Sequence, residues 1–327
     1  MSDVVRWGIL GCGNIAKQFA RGLAVLPDAK LVAVGSRSAE KAAAFGAEFG
    51  AERCHASYEA LAGDRQVDAV YVATPHPLHA ANSILCLQAG KAVLCEKPFT
   101  VNAAQAREVI GVARACGVFC MEAMWTRFLP VIVQVREWLA AGAVGEPRML
   151  TADFGFRAGW NPASRLLAPE LAGGSLLDVG VYVIALALMV FGRRPSAVTG
   201  LAHLGETGVD EQAAFVLGFD RGELAVLSSA VRTNTPQGAR IDGTDGRIAI
   251  DAFWHASHAV LSVNGREPEA CDRPLEGTGY NYEAAEVGRC LRAGLLESDV
   301  IGLDETLAIM ETMDTLRAQW GLRYPCE

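Results

Sequence analysis

The first 121 residues alternate between short apolar runs and segments in which apolar side chains recur at helical spacing. The apolar runs VVRWGILG, KLVAVGS, DAVYVAT, KAVLCE and VFCMEAM predict strands. The segments between them, such as IAKQFARGLAVL and NAAQAREVIGVARACG, predict helices. Strands that are apolar throughout and are joined by helices are typical of a parallel sheet covered on both faces. We therefore expect a doubly wound α/β domain over residues 1–124.

The pattern changes after residue 124. One helix, PVIVQVREWLAAG, is followed by strand-like runs separated by turn signals, among them FDRGE and IDGTDGR, which are typical hairpin connections. Two helical segments close the chain, near NYEAAEVGRCLRAG and LDETLAIMETMDTLRAQW. Hairpins in place of crossovers indicate an antiparallel sheet. Residues 125–327 are therefore predicted to form an α+β domain with a mainly antiparallel open sheet.

The amino-acid composition and net charge indicate which classes of binding partner are not expected. Of the 327 residues, 51% are hydrophobic and 20% are charged, and the net charge is −8 without any Lys/Arg-rich run. Nucleic acid and anionic membranes are therefore not expected as partners. The longest apolar run, residues 179–192, is shorter than the roughly 20 residues of a membrane span and predicts a buried helix.

The cysteines and the first residues of the chain indicate the cellular compartment in which the protein is expected. The nine cysteines are irregularly spaced and form no CxxC pair, and MSDVVRWGILGCG is not a charged leader followed by an apolar core. We expect reduced thiols and a cytoplasmic location. No metal site is predicted, because His76 and His79 lie on a proline-containing loop without a third ligand in sequence.

A glycine-rich loop follows the first strand and opens the first helix. In GCGNIA, Gly11 permits a tight turn, Gly13 lets the backbone approach a pyrophosphate, and Ala16 lets helix and strand pack closely. The helix N-terminus offers free N–H groups to phosphates. The first half is thus predicted to be a Rossmann domain that binds a dinucleotide. The remaining residues of the loop, Cys12, Asn14 and Ile15, are predicted to contact the same cofactor.

The end of the second strand indicates which dinucleotide. NAD enzymes usually place Asp or Glu there for the adenosine ribose, whereas this chain has Ser36, Arg37 and Ser38. A guanidinium flanked by hydroxyls can hold a 2′-phosphate, so we predict NADP. The alternative is a solvated arginine that is compatible with either cofactor.

Further polar residues lie where other strands end. Ligands of open parallel sheets bind outside the carboxyl ends of the strands, and VLCEKPFT places Glu96 and Lys97 at such an end. VATPHPLH adds Thr74 and His79 as candidate cofactor contacts and His76 as a candidate substrate contact. Four aromatic residues are candidates for a wall against a ring-shaped substrate, although each could be ordinary core: Trp125, Phe154, Trp160 and Tyr280.

These motifs together resemble one enzyme family. GCGNIA, ATPHPLH, CEKPFT and GGSLLDVGVY are similar to the Gfo/Idh/MocA dehydrogenases. EAMWTRFLP, GETGVDE and YEAAEVGRCLRAGLLES resemble its branch of dimeric dihydrodiol dehydrogenases and NADP-dependent D-xylose 1-dehydrogenases. The resemblance covers nearly the whole chain.

The resemblance implies roles for individual residues. Lys97 matches the catalytic lysine of the family, Glu96 its neighbour at the nicotinamide ribose, and Tyr182 the proposed acid/base tyrosine. Asp178 matches the acidic position of the same helix, and Arg165 lies where relatives have an arginine near the cofactor, although the usual Trp-Arg pair is broken up here as WNPASR.

The residues themselves permit other readings of this helix. Asp178 and Tyr182 are four residues apart and would share one helix face, where both could address the substrate. Alternatively, Asp178 caps the helix and Tyr182 belongs to the core.

The predicted activity is an NADP-dependent oxidoreduction. Hydride passes between nicotinamide and a cyclic polyol, an aldose such as D-xylose (C1 to lactone) or a trans-dihydrodiol, while Lys97 from the first domain and Tyr182 from the second handle the hydroxyl proton. The alternatives are a non-catalytic NADP-binding sensor or regulator and a carbonyl or imine reductase of the same fold. The resemblance also implies a homodimer or a higher homo-oligomer.

Overall fold

The computed structural model describes residues 4–327, which form two compact units. The first unit extends to Trp125 and also contains Glu276–Thr306, and the second consists of Thr126–Leu275 and Leu307–Glu327. The division at residues 124 and 125 into a cofactor domain and a substrate domain stays a prediction. The compact units differ from it mainly in Glu276–Thr306, which lie in the first unit.

The order of strands and helices along the chain largely follows the pattern that the sequence predicts. The strands are β1 (Val5–Leu10), β2 (Ala29–Gly35), β3 (Arg53–His55), β4 (Ala69–Val72), β5 (Ala92–Glu96), β6 (Cys120–Ala123), β7 (Pro147–Gly155), β8 (Ala197–Leu204), β9 (Asp210–Gly218), β10 (Leu224–Ala230), β11 (Ala239–Gly243), β12 (Gly246–Ile250), β13 (His258–Val263) and β14 (Glu269–Asp272). The helices are α1 (Asn14–Leu23), α2 (Ala39–Phe49), α3 (Tyr58–Ala62), α4 (His79–Gln88), α5 (Ala103–Cys116), α6 (Pro130–Ala140), α7 (Val181–Phe191), α8 (Tyr280–Arg292) and α9 (Leu303–Trp320).

The first unit is the predicted doubly wound sheet. Its six strands run in the order β3-β2-β1-β4-β5-β6, and every pair is parallel. Residues of β4 and β5 are buried throughout, as strands covered on both faces should be. The carboxyl ends of β1, β2, β4 and β5 therefore lie at one edge, which is where the glycine loop and Lys97 follow.

Helix boundaries in this unit follow from local capping. Asn102 accepts a hydrogen bond from the backbone N–H of Gln105 and so caps the start of α5. Gly90 follows α4 at φ +73°, the left-handed conformation expected of a helix-ending glycine.

Helix α8 packs against α1 in the first unit. A Cβ at Gly22 of α1 would lie 2.9 Å from the backbone nitrogen of Asn281, so only glycine permits this approach. The Thr278 hydroxyl donates to the carbonyl of Gln18 at 3.0 Å, and Arg292 forms an ion pair with Asp28 at 2.9 Å. These contacts hold the start of α8 against α1, which follows the glycine loop, and the end of α8 at Asp28.

The second unit is built on the predicted antiparallel sheet. Its eight strands run in the order β14-β13-β12-β11-β7-β10-β9-β8. The pairing of β7 with β10 is parallel, and the remaining pairs are antiparallel. FDRGE joins β9 to β10 and IDGTDGR joins β11 to β12, which confirms both hairpins. The sequence analysis predicted neither β14 nor the parallel pair in this unit, and it did not predict β3 in the first unit.

One face of this sheet is buried and the other is open to solvent. Phe215, Leu217 and Leu227 are at most 2% exposed, whereas Val226 beside them is 43% exposed. This alternation is the period of two expected for a half-buried sheet.

The most apolar segment of the chain is a core helix. Among residues 4–327, the segment Pro169–Phe191, with 23 residues and a mean hydropathy of 2.1, is long and apolar enough to cross a membrane by length and composition. This segment extends beyond the apolar run 179–192 at its amino-terminal end, so the length of the run alone did not indicate it. However, 94% of its most apolar stretch is buried within the protein, and the prediction of a buried helix is confirmed.

Candidate active site

The glycine loop of the first unit adopts the conformation that its sequence predicts. Gly11 has φ +101°, and a Cβ there would lie 2.6 Å from the carbonyl oxygen of Ala73 at the end of β4. A Cβ at Gly13 would meet nothing within 4 Å. Gly13 caps α1, whose first turn carries no acidic residue. The loop thus presents an open helix N-terminus that suits a pyrophosphate.

The other residues of the loop have different environments. Asn14 is exposed and Ile15 is half-buried. Cys12 is half-buried and makes a hydrogen bond with Ser36. Burial raises the pKa of the Cys12 thiol, although that hydrogen bond acts in the opposite direction. The thiol is therefore neutral and adds no negative charge where phosphates would bind.

The end of β2 presents an exposed guanidinium between two hydroxyls. Ser36 is buried, and its Oγ accepts a hydrogen bond from the backbone N–H of Ser38 at 3.2 Å. Ser38 caps α2 by accepting from the N–H of Lys41 at 3.2 Å. Arg37 lies between them and is exposed. This cationic helix start can bind a phosphate ester through charge-assisted hydrogen bonds.

Lys97 stands on a strand end that is anchored by buried carboxylates. Tyr71 donates a hydrogen bond from its hydroxyl to one oxygen of Glu96, and the backbone N–H of Lys97 donates to the other at 3.2 Å. Glu122 accepts from the N–H of Phe99 at 3.1 Å. The Lys97–Pro98 peptide bond is cis. The chain on both sides of Lys97 is therefore held by hydrogen bonds.

His79 ties two loops together at this edge. Its two ring nitrogens lie 2.7 Å from the carbonyl oxygen of Thr74 and 2.8 Å from that of Pro98. Burial lowers the pKa of His79, while both carbonyls act in the opposite direction. At 1% exposure, His79 orients the loops and does not offer a free face to a ligand. The ring of His76 lies 5.6 Å from that of His79.

Two residues of the predicted aromatic wall meet within the first unit. The rings of Trp125 and Tyr280 are stacked, with centroids 4.6 Å apart and an angle of 17° between their planes. Trp125 is 2% exposed. Sequence alone did not bring these residues together, because Tyr280 begins α8, which returns to this unit from the far end of the chain.

In the second unit, Arg165 and Asp178 form an ion pair. Their side chains are 2.7 Å apart, and that of Asp178 is 5% exposed while that of Arg165 is 60% exposed. Asp178 lies in a π-helical turn, Leu176–Gly180, that leads into α7 with Tyr182 in its first turn. Such turns interrupt α-helices frequently at functional sites. The expected single α-helical face is therefore replaced by a π turn followed by an α-helix.

Asp210, which the sequence analysis missed, performs the capping that was considered for Asp178. It is fully buried and accepts hydrogen bonds from the N–H of Leu176 at 2.6 Å and from the hydroxyl of Ser175 at 2.8 Å. Burial raises its pKa to about 6, although these bonds act in the opposite direction. Asp210 comes from the start of β9, far along the chain, so no local spacing could reveal it.

An aromatic ring lies beside Tyr182 in the second unit. The centroid of Phe154 lies 5.4 Å from that of Tyr182. Trp254, which was also missed, stacks on Phe154 at 5.0 Å and 16°. Trp160 is 48% exposed and lies 5.4 Å from the guanidinium of Arg232, so it is not part of this stack. Phe154 is 6% exposed and Trp254 is half-buried, so Trp254 is the member of this stack that a flat apolar ring can reach.

Comparison with known families assigns both halves of the chain. Residues 5–124 match the model of an oxidoreductase family with an NAD-binding Rossmann fold, and residues 132–249 match the Gfo/Idh/MocA C-terminal domain. The chain belongs to the Gfo/Idh/MocA oxidoreductase family. Both the predicted resemblance and the predicted fold class are confirmed.

Several relatives in this family match over nearly their full length. Trans-1,2-dihydrobenzene-1,2-diol dehydrogenases are 39% identical in Xenopus tropicalis (98% of this chain and 99% of that one) and 39% identical in Mus musculus (98% of each). The solved structure of the aldose-aldose oxidoreductase of Caulobacter crescentus with glycerol is similar, with a TM-score of 0.88, 25% identity and 98% coverage of each chain. KijD10, a 3-ketoreductase of Actinomadura kijaniata solved with NADP and TDP-benzene, has a TM-score of 0.83 at 26% identity, covering 96% and 97%.

Proposed function

We propose that the protein is an NADP-dependent dehydrogenase that oxidises a trans-dihydrodiol of an arene to the corresponding catechol. NADP-dependent oxidoreduction of polyol or diol substrates is what the named relatives and neighbours support. The observation that carries the narrower proposal is the stack of Phe154 and Trp254 beside Tyr182. Such a face suits a flat ring whose two hydroxyls lie at one side.

A second candidate substrate is an aldose. The likeness to the aldose-aldose oxidoreductase favours it, and sugars also bind through aromatic faces. An aldose would be oxidised at C1 to a lactone. Both substrates lose a hydride and a hydroxyl proton, so the same protein groups serve either reaction.

The proposed roles follow from chemistry. NADP, when bound, accepts the hydride. Lys97 and Tyr182 bind the substrate hydroxyl and take up its proton during oxidation. Asp178, held by Arg165, orients the substrate through its second hydroxyl. Glu96 holds the backbone of Lys97, as described above. For NADP, the phosphates would lie at the N–H groups after Gly13 and the 2′-phosphate at Arg37.

Turnover with a panel of substrates tests the proposal. We expect NADPH formation from trans-1,2-dihydrobenzene-1,2-diol with a kcat/KM at least about tenfold above that for D-xylose or myo-inositol. Activity on the aldose alone would select the second candidate. Tight NADPH binding with no turnover of any diol, aldose or carbonyl compound would instead favour the sensor.

We also propose that the protein is a cytoplasmic homodimer. All nine cysteines are free, which fits a reducing compartment. The open face of the eight-stranded sheet carries Leu201 (82% exposed), Leu224 (41%) and Val226 (43%). An exposed apolar face of this kind is typical of an interface between protein chains.

Light scattering tests the dimer. The wild type should have twice the chain mass at micromolar concentration, and L201D/V226D should have the mass of one chain because charges on a buried interface are costly. V133D, at an exposed valine on α6, is the matched control. A monomeric wild type would contradict the proposal.

A further inference from the structure

We propose that Glu283 and Glu96 form a buried carboxyl–carboxylate pair that holds a single proton and positions the strand end bearing Lys97. Glu283 lies in the first turn of α8 and is fully buried. Within residues 4–327, neither of its carboxyl oxygens has a hydrogen-bond partner. This inference rests on the proposed role of Lys97, but the charge state of the pair can be measured without any substrate.

The hydrogen bonds show which member of the pair carries the charge. Glu96 accepts from the Tyr71 hydroxyl and from the backbone N–H of Lys97, so two donors stabilise its ionised form. No donor reaches Glu283 from the described residues. An ionised carboxylate without donors is unstable in the interior, whereas a carboxyl that keeps its proton is far less costly to bury. Glu96 is therefore the carboxylate and Glu283 the carboxyl.

Electrostatics support this assignment. Burial raises the pKa of Glu283 well above its ordinary value, and the negative charge of Glu96 raises it further. Burial and the same charge also raise the pKa of Tyr71, so its hydroxyl keeps the proton that it donates. Two neighbouring buried carboxyl groups cannot both ionise without a compensating cation.

The surrounding groups do not supply such a cation to Glu283. The two cations of α1, Lys17 and Arg21, both pair with Glu48 on the side of α2. The only charged group that acts on the pKa of Glu283 among the described residues is the carboxylate of Glu96, and no cation acts on it. Glu283 interacts with the carboxylate of Glu96 on β5. Its neighbour Tyr71 on β4 interacts with Glu96, with Glu283 and with the phenol of Tyr280 on α8.

The pair has a consequence for the reaction. If both groups ionised, Glu96 would be repelled by Glu283 and its bonds to Tyr71 and to the Lys97 backbone would weaken. With Glu283 neutral, Glu96 keeps both donors and the backbone at Lys97 stays in place. Glu283 thus acts as a positioning residue through Glu96 and does not itself touch substrate.

Carboxyl ¹³C NMR of the full-length protein labelled at glutamate Cδ tests the pair directly. We expect the Glu283 resonance, assigned by its loss in E283Q or E283D, to keep the chemical shift of a protonated carboxyl at neutral pH. Glu286, on the same helix, is the internal control: burial opposes its ionisation, but hydrogen bonds with Arg289 and Ser298 lower its pKa, so it should show an ionised shift. E96Q should lower the pKa of Glu283, because it removes the neighbouring charge.

Thermal unfolding gives an independent readout. The folded protein binds the Glu283 proton more tightly than the unfolded chain, so this contribution to stability is lost as pH rises towards the raised pKa. The melting temperature of E283Q, which cannot ionise, should therefore rise relative to the wild type between about pH 5 and pH 8. E283Q should also keep kcat/KM within about threefold of the wild type at neutral pH, whereas E283A should lose about tenfold.

Two results would overturn the inference. One is an ionised shift for Glu283 at neutral pH. The other is a Glu283 titration that E96Q leaves unchanged. Neither measurement uses substrate, so an inactive protein with a protonated Glu283 would count against the proposed function and leave the pair intact.

Discussion

The K97M variant is expected to lose about three orders of magnitude in kcat while it still binds NADPH. Lys97 is the proposed acid/base group, and methionine keeps the length of its side chain but cannot exchange a proton. Glu96 accepts a hydrogen bond from the backbone N–H of Lys97, which the substitution keeps, so the strand end should keep its structure. Steady-state kinetics with the best diol, together with NADPH fluorescence titration, measure both quantities.

The control for this variant is K30M. Lys30 is also a lysine of the first unit, but its exposed side chain pairs loosely with Glu52 at 3.7 Å. K30M should keep kcat within about twofold, because exposed pairs of this kind contribute little. Y182F should lose about a hundredfold, and the double variant should lose less than the product of both effects if the two residues act on one proton. A K97M enzyme with full turnover would refute the mechanism.

The R37D variant is expected to reverse the preference between cofactors. It removes the exposed guanidinium that the proposal assigns to the 2′-phosphate, and it introduces a charge that repels this group. Affinity for NADP should fall by about a hundredfold, which corresponds to one or two charge-assisted hydrogen bonds. Affinity for NAD should remain the same or increase, since a carboxylate at this position can accept from the ribose hydroxyl.

Isothermal titration calorimetry with both dinucleotides measures this preference. R65D is the control, because Arg65 is an exposed arginine of the same unit in the segment between α3 and β4. It should change neither affinity by more than about twofold. Equal losses for NADP and NAD in R37D would show that Arg37 does not recognise the phosphate.

Local spacing in the sequence was sufficient for the fold class and for the cofactor loop. Gly11, Gly13 and Ala16 lie within six residues, and their physical requirements are met by neighbours in sequence and by one adjacent strand. The alternation of strands and helices likewise reports the parallel sheet, because each element buries its own apolar residues. For the same reason the hairpins of the second unit were predictable.

Contacts between distant segments could not be predicted in this way. Asp210 caps a helix that begins far earlier in the chain, and Trp254 reaches Phe154 from a turn after β12. The sequence around Glu283 is that of an ordinary helical acid. Glu286 on the same helix is also buried, but it accepts hydrogen bonds from Arg289 and Ser298, whereas no described donor reaches the carboxyl oxygens of Glu283. Asp178 had the residue type of a cap, yet the helix begins before it and its carboxylate pairs with Arg165.

Glu276–Thr306 belong to the first unit, and this limits where the chain can be divided or recombined with that of a relative. The nucleotide-binding half is not a contiguous piece of chain, since its glycine at position 22 is shaped for a helix encoded more than two hundred residues later. A fragment that stops at Trp125 would expose that groove on α1 and leave Trp125 without its stacking partner. An exchange of only the amino-terminal segment between family members, made to change cofactor preference, would therefore place α1 of one protein against α8 of another, with surfaces that do not match. A graft that carries both segments keeps the two surfaces matched.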